Sequence, residues 1–214
     1  MSSFVFEHHC AIEGEPVTLA SAPFVAIIDA NALYPMVLRD TLLRAASAGF
    51  YQLRWSGDIL DEMERNLVKA KKPIPLTRAK RLREAMETSF PEASVTGYSA
   101  LIPCMQNDPK DRHVAAAAVT AGAQAIVTFN VKDFSNLPPA IEARDPDDFL
   151  CGLFELDRAA FVTLLQEQAS ALKNPPVSFT ELLVHLERCA PDLVDAVRAE
   201  LRRALPIITI KPRA

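Results

Sequence analysis

Short apolar runs alternate with helical segments over the first 150 residues, and this alternation most constrains how the chain can fold. Residues 24–28 (FVAII) contain no polar side chain, which is typical of a strand buried on both faces of a sheet. The pattern predicts three more strands, at 50–55, 94–98 and 125–129. Between the strands it predicts helices at 34–47, 57–69, 77–89 and 109–121. Strands separated by helices of this length form βαβ units, so the sequence predicts an α/β fold with a mainly parallel sheet.

The pattern changes after residue 146, where the chain becomes predominantly helical. One long amphipathic helix is predicted at 149–172, and two prolines follow it. Ser178 and Glu181 have the spacing of a capping box, which indicates the start of another helix. The last predicted helix, at 192–205, precedes a strand-like tail at 206–211.

These segments divide the chain into three predicted parts. They are an N-terminal arm at 1–23, an α/β domain at 24–150 and a C-terminal helical extension at 151–214.

The composition is that of a folded protein: half of the 214 residues are hydrophobic and 23% are charged, which excludes a disordered or collagen-like chain. No apolar run reaches the roughly 18 residues of a membrane span, and the first residues lack the features of a signal peptide. The four cysteines form no C-x-x-C zinc motif. We therefore expect a cytoplasmic protein with reduced cysteines and no association with membranes.

Acidic and amide side chains follow the predicted strands at the points where ligands bind in open α/β sheets. Four separate segments contribute them: Asp29 and Asn31; Asp58, Asp61, Glu62 and Glu64; Asp108 and Asp111; Asn130 and Asp133. Carboxylates gathered in one place repel one another unless a cation neutralises them. Oxygen ligands without histidine or cysteine favour Mg²⁺ or Mn²⁺ over zinc. The sequence therefore predicts a site for metal-assisted hydrolysis of a phosphodiester.

Each acid also has a simpler structural explanation. Asp108 before Pro109 is typical of a helix N-cap, and Asp111 of an acid in the first turn. Asp29 and Asp133 are also compatible with turns. The joint occurrence of these acids at predicted strand ends favours a site.

Helical periodicity leaves one choice open on the helix at 57–69. Glu62 and Glu64 lie on opposite flanks of its apolar stripe, so both cannot face one metal ion. The period does not select one of them.

With these residues in place, the chain resembles the PIN-domain nucleases, and among them the VapC-like toxins of type II toxin–antitoxin systems. The segment NDPKDRHVAAAAVTAGAQAIVTFNVKDF is similar to the late part of that domain, and IIDANALYP and WSGDILDEMERNL are similar to its early parts. The resemblance covers residues 24–150. It implies a three-layer α/β/α fold.

Carried over by position, the resemblance assigns catalysis and metal binding to four acids: Asp29, Glu62, Asp111 and Asp133. It assigns supporting roles to Asn31, Asp108, Thr128 and Asn130. Some relatives have aspartate where this chain has Asn130, so a site with one metal ion and a site with two both stay open.

The implied function is that of a Mg²⁺- or Mn²⁺-dependent endoribonuclease acting as a toxin. Its implied partners are an RNA substrate, a cognate antitoxin and, as is common in the family, a second copy of the chain. Arg112 and Lys132, beside two of the acids, are candidate contacts for RNA phosphates. His113 is predicted to point away from the metal, because it lies roughly 200° around the helix from Asp111.

A basic segment lies between residues 69 and 83, with seven lysines and arginines in fifteen positions. It has two readings: a solvated helical surface, or a surface that binds RNA phosphates or the antitoxin.

Two other functions fit part of this sequence pattern. A haloacid-dehalogenase-like phosphatase also places an aspartate after a buried strand, but it generally needs a second acid where this chain has Asn31. A non-catalytic PIN fold that binds RNA or a protein would gain nothing from concentrated negative charge facing RNA.

Overall fold

The computed structural model describes residues 24–173 and 175–204. The predicted N-terminal arm at 1–23 and the tail at 206–211 lie outside the described residues. The described strands are β1 (Val25–Ile28), β2 (Gln52–Ser56), β3 (Ser94–Val95), β4 (Ala125–Val127) and β5 (Glu142–Arg144). The α-helices in this part of the chain are α1 (Ala30–Leu33), α2 (Met36–Ser47), α3 (Gly57–Lys69), α4 (Leu76–Ser89), α5 (Arg112–Thr120), α6 (Pro146–Leu156), α7 (Arg158–Ala171), α8 (Phe179–Leu186) and α9 (Pro191–Ala204).

The five described strands form one parallel sheet in the order β3-β2-β1-β4-β5. In the central register, Ala26 of β1 lies between Leu53 of β2 and Ala125 of β4. The structure therefore confirms the predicted PIN-like α/β/α fold with a parallel sheet and C-terminal helices.

Central strand β1 has the burial that its composition predicts. Ala26, Ile27 and Ile28 have no exposed surface, as expected for a strand covered by helices on both faces. Helix α5 packs against β1 and β4, and its five consecutive residues from Val114 to Ala118 are fully buried. Five residues span more than one helical turn, so this part of α5 is covered on every side.

Helix α3 begins where the sequence predicts it. The Ser56 hydroxyl accepts a hydrogen bond from the Ile59 N–H at 3.3 Å and so caps the helix. The buried stripe of α3 then runs through Ile59, Leu60, Met63 and Leu67.

The prediction of one long helix at 149–172 is wrong. Asp157 interrupts it with an extended backbone (φ −154°, ψ 93°), and its carboxylate accepts a hydrogen bond from the Ala160 N–H at 2.9 Å. The aspartate therefore ends α6 and caps α7. Helix α6 also begins at Pro146, so it crosses the division predicted at residue 150. The capping box of Ser178 and Glu181 is confirmed.

Buried polar side chains attach the C-terminal helices to the rest of the structure. Asp147 in α6 accepts hydrogen bonds from the N–H groups of Asp192 and Leu193, both at 2.9 Å, and so satisfies the first turn of α9. Gln168 in α7 accepts a hydrogen bond from the Thr41 hydroxyl at 2.9 Å and donates one to the Val37 carbonyl at 3.1 Å, which connects α7 to α2.

Three other elements differ from the prediction. The helix predicted at 34–47 corresponds to α2, which begins at Met36 after Pro35, and the short α1 that precedes it was not predicted. The helix predicted at 109–121 begins as a 3₁₀ turn at Pro109–Asp111. Strand β5 was not predicted, because the sequence Glu-Ala-Arg has no apolar run. Among the described helices, none has the length and hydrophobicity that crossing a bilayer requires.

Candidate functional site

The order of the strands defines a crevice between β1 and β4. From β1 the chain adds β2 and β3 on one side, and it then crosses to add β4 and β5 on the other. Ligands bind at such a switch point, beyond the carboxyl ends of the two strands. Asp29 follows β1 and Thr128 follows β4, and the Asp29 N–H donates to the Val127 carbonyl at 3.0 Å. The crevice thus begins at the residues that the sequence predicts.

Asp29 is held in one orientation at the base of this crevice. The residue is 4% exposed, and its Oδ2 accepts a hydrogen bond from the Thr128 hydroxyl at 2.7 Å. Its Oδ1 accepts a hydrogen bond from the Ala30 N–H, also at 2.7 Å. Burial raises the pKa of Asp29, although both hydrogen bonds act to lower it. The carboxylate is therefore preorganised but poorly solvated.

Thr128 connects the loops that follow β1 and β4. Its hydroxyl oxygen accepts hydrogen bonds from the Asn31 side-chain amide at 2.9 Å and from the Asn130 N–H at 3.1 Å. The Asn31 Oδ1 accepts a hydrogen bond from the Phe129 N–H at 3.0 Å. Three of the residues predicted to support the site are thus part of one hydrogen-bond network, Asn130 through its backbone alone.

Asp111 provides the most unusual carboxylate of the site. It is 8% exposed, and its Oδ2 is buried without a hydrogen-bond partner. Burial, together with the neighbouring charges of Asp29, Asp133 and Asp108, raises the pKa of Asp111 to about 6, although the charge of Lys110 acts to lower it. A buried anionic oxygen without a donor is costly, and a cation is what neutralises it.

Asp133 is paired with a lysine that the sequence analysis did not single out. The Lys110 ammonium donates to the Asp133 Oδ2 at 2.9 Å and lies 3.9 Å from the Asp111 Oδ2. The proximity of these carboxylates raises the pKa of Lys110. The only signal in the sequence was its position directly before Asp111.

Glu62, rather than Glu64, is the acid of α3 that interacts with the site. Glu62 contributes to the raised pKa of Asp29, and Glu64 is not among the groups that affect it. Of these two glutamates, Glu62 is therefore the one whose charge acts on Asp29.

The chemistry of these acids fits a divalent cation that binds few protein ligands directly. Within residues 24–173 and 175–204, no three His, Cys, Asp or Glu side chains are grouped closely enough to hold a metal ion by themselves. Mg²⁺ usually keeps several water ligands and binds one or two carboxylates directly, so a full protein cage is not required. The oxygen-only donor set and the unpartnered Asp111 Oδ2 are the features that suit such an ion.

Comparison with known proteins identifies the family. The model of the PIN domain family matches residues 25–132, which is half of the chain. The chain is a VapC-like member of the PIN-domain family. A second family model, the VapC50 C-terminal domain, matches residues 146–199, and its first residue is also the first residue of α6.

One similar protein is the "Putative ribonuclease VapC50" of Mycobacterium tuberculosis. It is 37% identical over 126 residues, which cover 56% of this chain and 72% of that protein. No solved structure gives a significant match.

His113 of this VapC-like protein lies near Asp29, and its predicted direction, away from the metal, stays a prediction. It is close enough to Asp29 to lower the pKa of that carboxyl group. The His113 Nδ1 lies 3.0 Å from the Lys110 carbonyl oxygen, and its Nε2 is buried without a hydrogen-bond partner. The 200° projection assumed an α-helix from Asp111 onward, whereas Asp111 belongs to a 3₁₀ turn, whose residues are not spaced by 100°.

Asp108 has the capping role that its sequence context suggested. Its carboxylate accepts a hydrogen bond from the Lys110 N–H at 3.1 Å, and its own N–H donates to the Asp133 carbonyl at 2.9 Å. Of the two candidate phosphate contacts, Lys132 is exposed, whereas the Arg112 Nε donates to the Asn107 carbonyl at 3.3 Å.

The basic segment of the VapC-like protein spans the end of α3, the connecting loop and the first half of α4. Arg83 forms ion pairs with Asp61 and Glu87. Six exposed cations complete the segment, and none of them forms an ion pair with a described residue: Lys69, Lys71, Lys72, Arg78, Lys80 and Arg81.

Proposed function

We propose that this protein is a Mg²⁺- or Mn²⁺-dependent endoribonuclease and the toxin of a toxin–antitoxin pair. The observation that carries the proposal is the buried, unpartnered Oδ2 of Asp111, which lies among the charges of Asp29 and Asp133 beyond the ends of β1 and β4. Membership of the VapC-like branch and similarity to a protein named as a ribonuclease support the same conclusion.

In the proposed site, four acids hold the ion directly or through its water ligands: Asp29, Glu62, Asp111 and Asp133. When bound, the ion polarises the scissile phosphate and lowers the pKa of the attacking water. Thr128 and Asn31 keep the Asp29 carboxylate in one orientation, so little reorganisation is needed when a substrate arrives.

Cations around the acidic crevice hold the RNA backbone in this proposal. Lys132 is exposed beside Asp133, and Arg112 keeps guanidinium nitrogens that form no hydrogen bond with a described residue. We expect RNA binding to weaken steeply as salt is raised, because each neutralised phosphate releases counterions. Filter binding over a salt series measures this slope, and a slope near zero would contradict the phosphate contacts.

The antitoxin is the proposed protein partner. Its segment would cover the acidic crevice with a basic side chain, while the six unpaired cations of the basic segment offer a second surface for an acidic partner or for RNA. A homodimer and a cytoplasmic location complete the proposal, and light scattering of the purified protein tests the dimer.

The decisive experiment is an RNA-cleavage assay with Mg²⁺ or Mn²⁺ and, in parallel, with a chelator. Asp29→Asn and Asp111→Asn should reduce cleavage by about 100-fold or more, since each removes a charge from the metal site. Cleavage that persists with chelator and in both variants would refute the proposal.

A matched pair of variants on α3 tests the assignment of Glu62. Glu62→Gln should reduce cleavage strongly, whereas Glu64→Gln, on the other flank of the same helix, should retain it. Equal losses in both variants would contradict the assignment.

The structure does not favour the phosphatase alternative. Its general acid would be residue 31, which is an asparagine whose amide and carbonyl groups are both engaged with Thr128 and Phe129. Turnover of a small phosphomonoester, with a phosphorylated Asp29, would support that alternative. A protein that binds RNA without cleaving it under any metal condition would support the non-catalytic alternative.

A further inference from the structure

Lys110 is a cation inside the acidic site, and nothing in the proposed mechanism so far uses it. Its ammonium donates to the Asp133 Oδ2 at 2.9 Å, whereas its distance of 3.9 Å to the Asp111 Oδ2 is too long for a hydrogen bond. One ammonium thus donates a hydrogen bond to one of two adjacent carboxylates, and it reaches the other, more buried one only through its charge, so that oxygen has no donor.

We propose that Lys110 is the resident counter-cation of the site, and that a divalent ion binds by displacing its ammonium from Asp133. This inference rests on the proposed function, because it concerns the same metal site. It means that the affinity for the metal is set by competition with a side chain of the protein as well as by the carboxylates.

The backbone of Lys110 is fixed, but its ammonium is exchangeable. The Lys110 N–H donates to the Asp108 carboxylate at 3.1 Å, and its carbonyl oxygen lies 3.0 Å from the His113 Nδ1. The Lys110 side chain, in contrast, is 61% exposed and has one hydrogen-bond partner, Asp133, which is itself 30% exposed. Exposed ion pairs of this kind are weak, so a doubly charged ion can replace the ammonium.

The neighbouring Asp111 distinguishes this ion pair from an ordinary surface pair. Its Oδ2 lies on the same side of the turn as the ammonium but accepts no hydrogen bond. An ion with two charges and several coordination positions would satisfy Asp111 and Asp133 together, directly or through water. The single ammonium donates a hydrogen bond to Asp133 alone. This difference favours replacement of the ammonium by the divalent ion.

The test measures Mn²⁺ binding to the purified full-length protein without RNA, by calorimetry or by the paramagnetic resonance of free Mn²⁺. Lys110→Met removes the ammonium and keeps the length of the side chain. Lys132→Met is the matched control, because it removes the same charge from an exposed lysine that forms no ion pair with a described residue.

We expect Lys110→Met to bind Mn²⁺ about three- to tenfold more tightly than the wild type, as expected from loss of an exposed competing ion pair. Lys132→Met should stay within about twofold, since a solvated charge interacts weakly. In chelator, the melting temperature of Lys110→Met should fall below that of the wild type, because Asp133 loses its ion-pair partner and Asp111 loses a nearby positive charge. Its increase on addition of Mn²⁺ should be correspondingly larger.

Equal or weaker Mn²⁺ binding by Lys110→Met, in a folded protein whose wild type binds the ion, would overturn the exchange and leave the proposed function standing. An equal gain in both lysine variants would also overturn it, because the effect would then be general electrostatics. Absence of Mn²⁺ binding in the wild type and in both variants would overturn the proposed function, and the exchange with it.

Discussion

Replacing Asp111 by asparagine should stabilise the metal-free protein while it abolishes the proposed activity. The pKa of Asp111 is raised from 3.8 to about 6, mainly by burial and then by the charge of Asp29. This difference corresponds to about 3 kcal/mol of ionisation free energy. The side chain is 12% exposed, and water at the rim reduces the effect, so we expect a gain of about 1–3 kcal/mol for Asp111→Asn.

The sign of the pH dependence follows from the direction of the pKa shift. Because the pKa of Asp111 is higher in the folded state, its contribution favours folding at low pH and is lost as the pH rises through about 6. The stability gap between Asp111→Asn and the wild type should therefore be largest near about pH 8 and should close near about pH 4.

Urea denaturation in chelator, at both pH values, measures this gap. Asp148→Asn is a suitable control, because Asp148 is exposed on α6 and its replacement should change stability by less than about 0.5 kcal/mol. Excess Mg²⁺ should then reverse the order: at 100 times the dissociation constant it would add about 2.7 kcal/mol to the wild type and little to Asp111→Asn. A variant less stable than the wild type at the higher pH, or a gap of the same size at both, would refute the reasoning.

Two further substitutions test the contacts that hold the fold around the site. Thr128→Val should destabilise the protein by about 1–3 kcal/mol, because the buried Asp29 loses its hydroxyl donor. Thr128→Ser keeps the hydroxyl and should retain most of the stability. Equal losses of stability in the two variants, measured by urea denaturation, would contradict this prediction. Asp147→Ala should lower the stability by about 1–2 kcal/mol, because it leaves two N–H groups of α9 without an acceptor. Asp148→Ala should leave the stability nearly unchanged. An Asp147→Ala variant as stable as the wild type in the same assay would show that this cap does not stabilise the protein.

Local patterns in the sequence accounted for much of the fold. The apolar run at 24–28 predicted the buried central strand, and the capping box of Ser178 and Glu181 predicted a helix start that the structure confirms. These features are readable because strand burial and helix capping depend on residues only a few positions apart. The break at Asp157 is also local, because the aspartate caps α7. It was not predicted, because the apolar residues continue at helical spacing on both sides of Asp157.

Only part of the candidate site could be predicted from the sequence. Helical periodicity offered Glu62 and Glu64 as equals on α3, and only the resemblance to the PIN-domain family selected Glu62. Lys110 was overlooked. Both points depend on where side chains of different elements meet, and periodicity within one helix carries no information about that. Asp108 shows the opposite case, because its capping role is local and was recognised from the proline that follows it.

The amino-acid sequence by itself determined the types of the elements, the apolar faces of the helices and the acids available at the ends of the strands. Tertiary structure decided the order of the strands, the short β5 at the edge and the contact of Thr128 with Asp29, which are 99 residues apart. The reason is that helix and strand formation are driven by short-range periodicity, whereas the approach of distant carboxylates is set by how the whole core packs. Only that packing buries Asp111 deeply enough to raise its pKa and to leave one of its oxygens without a donor.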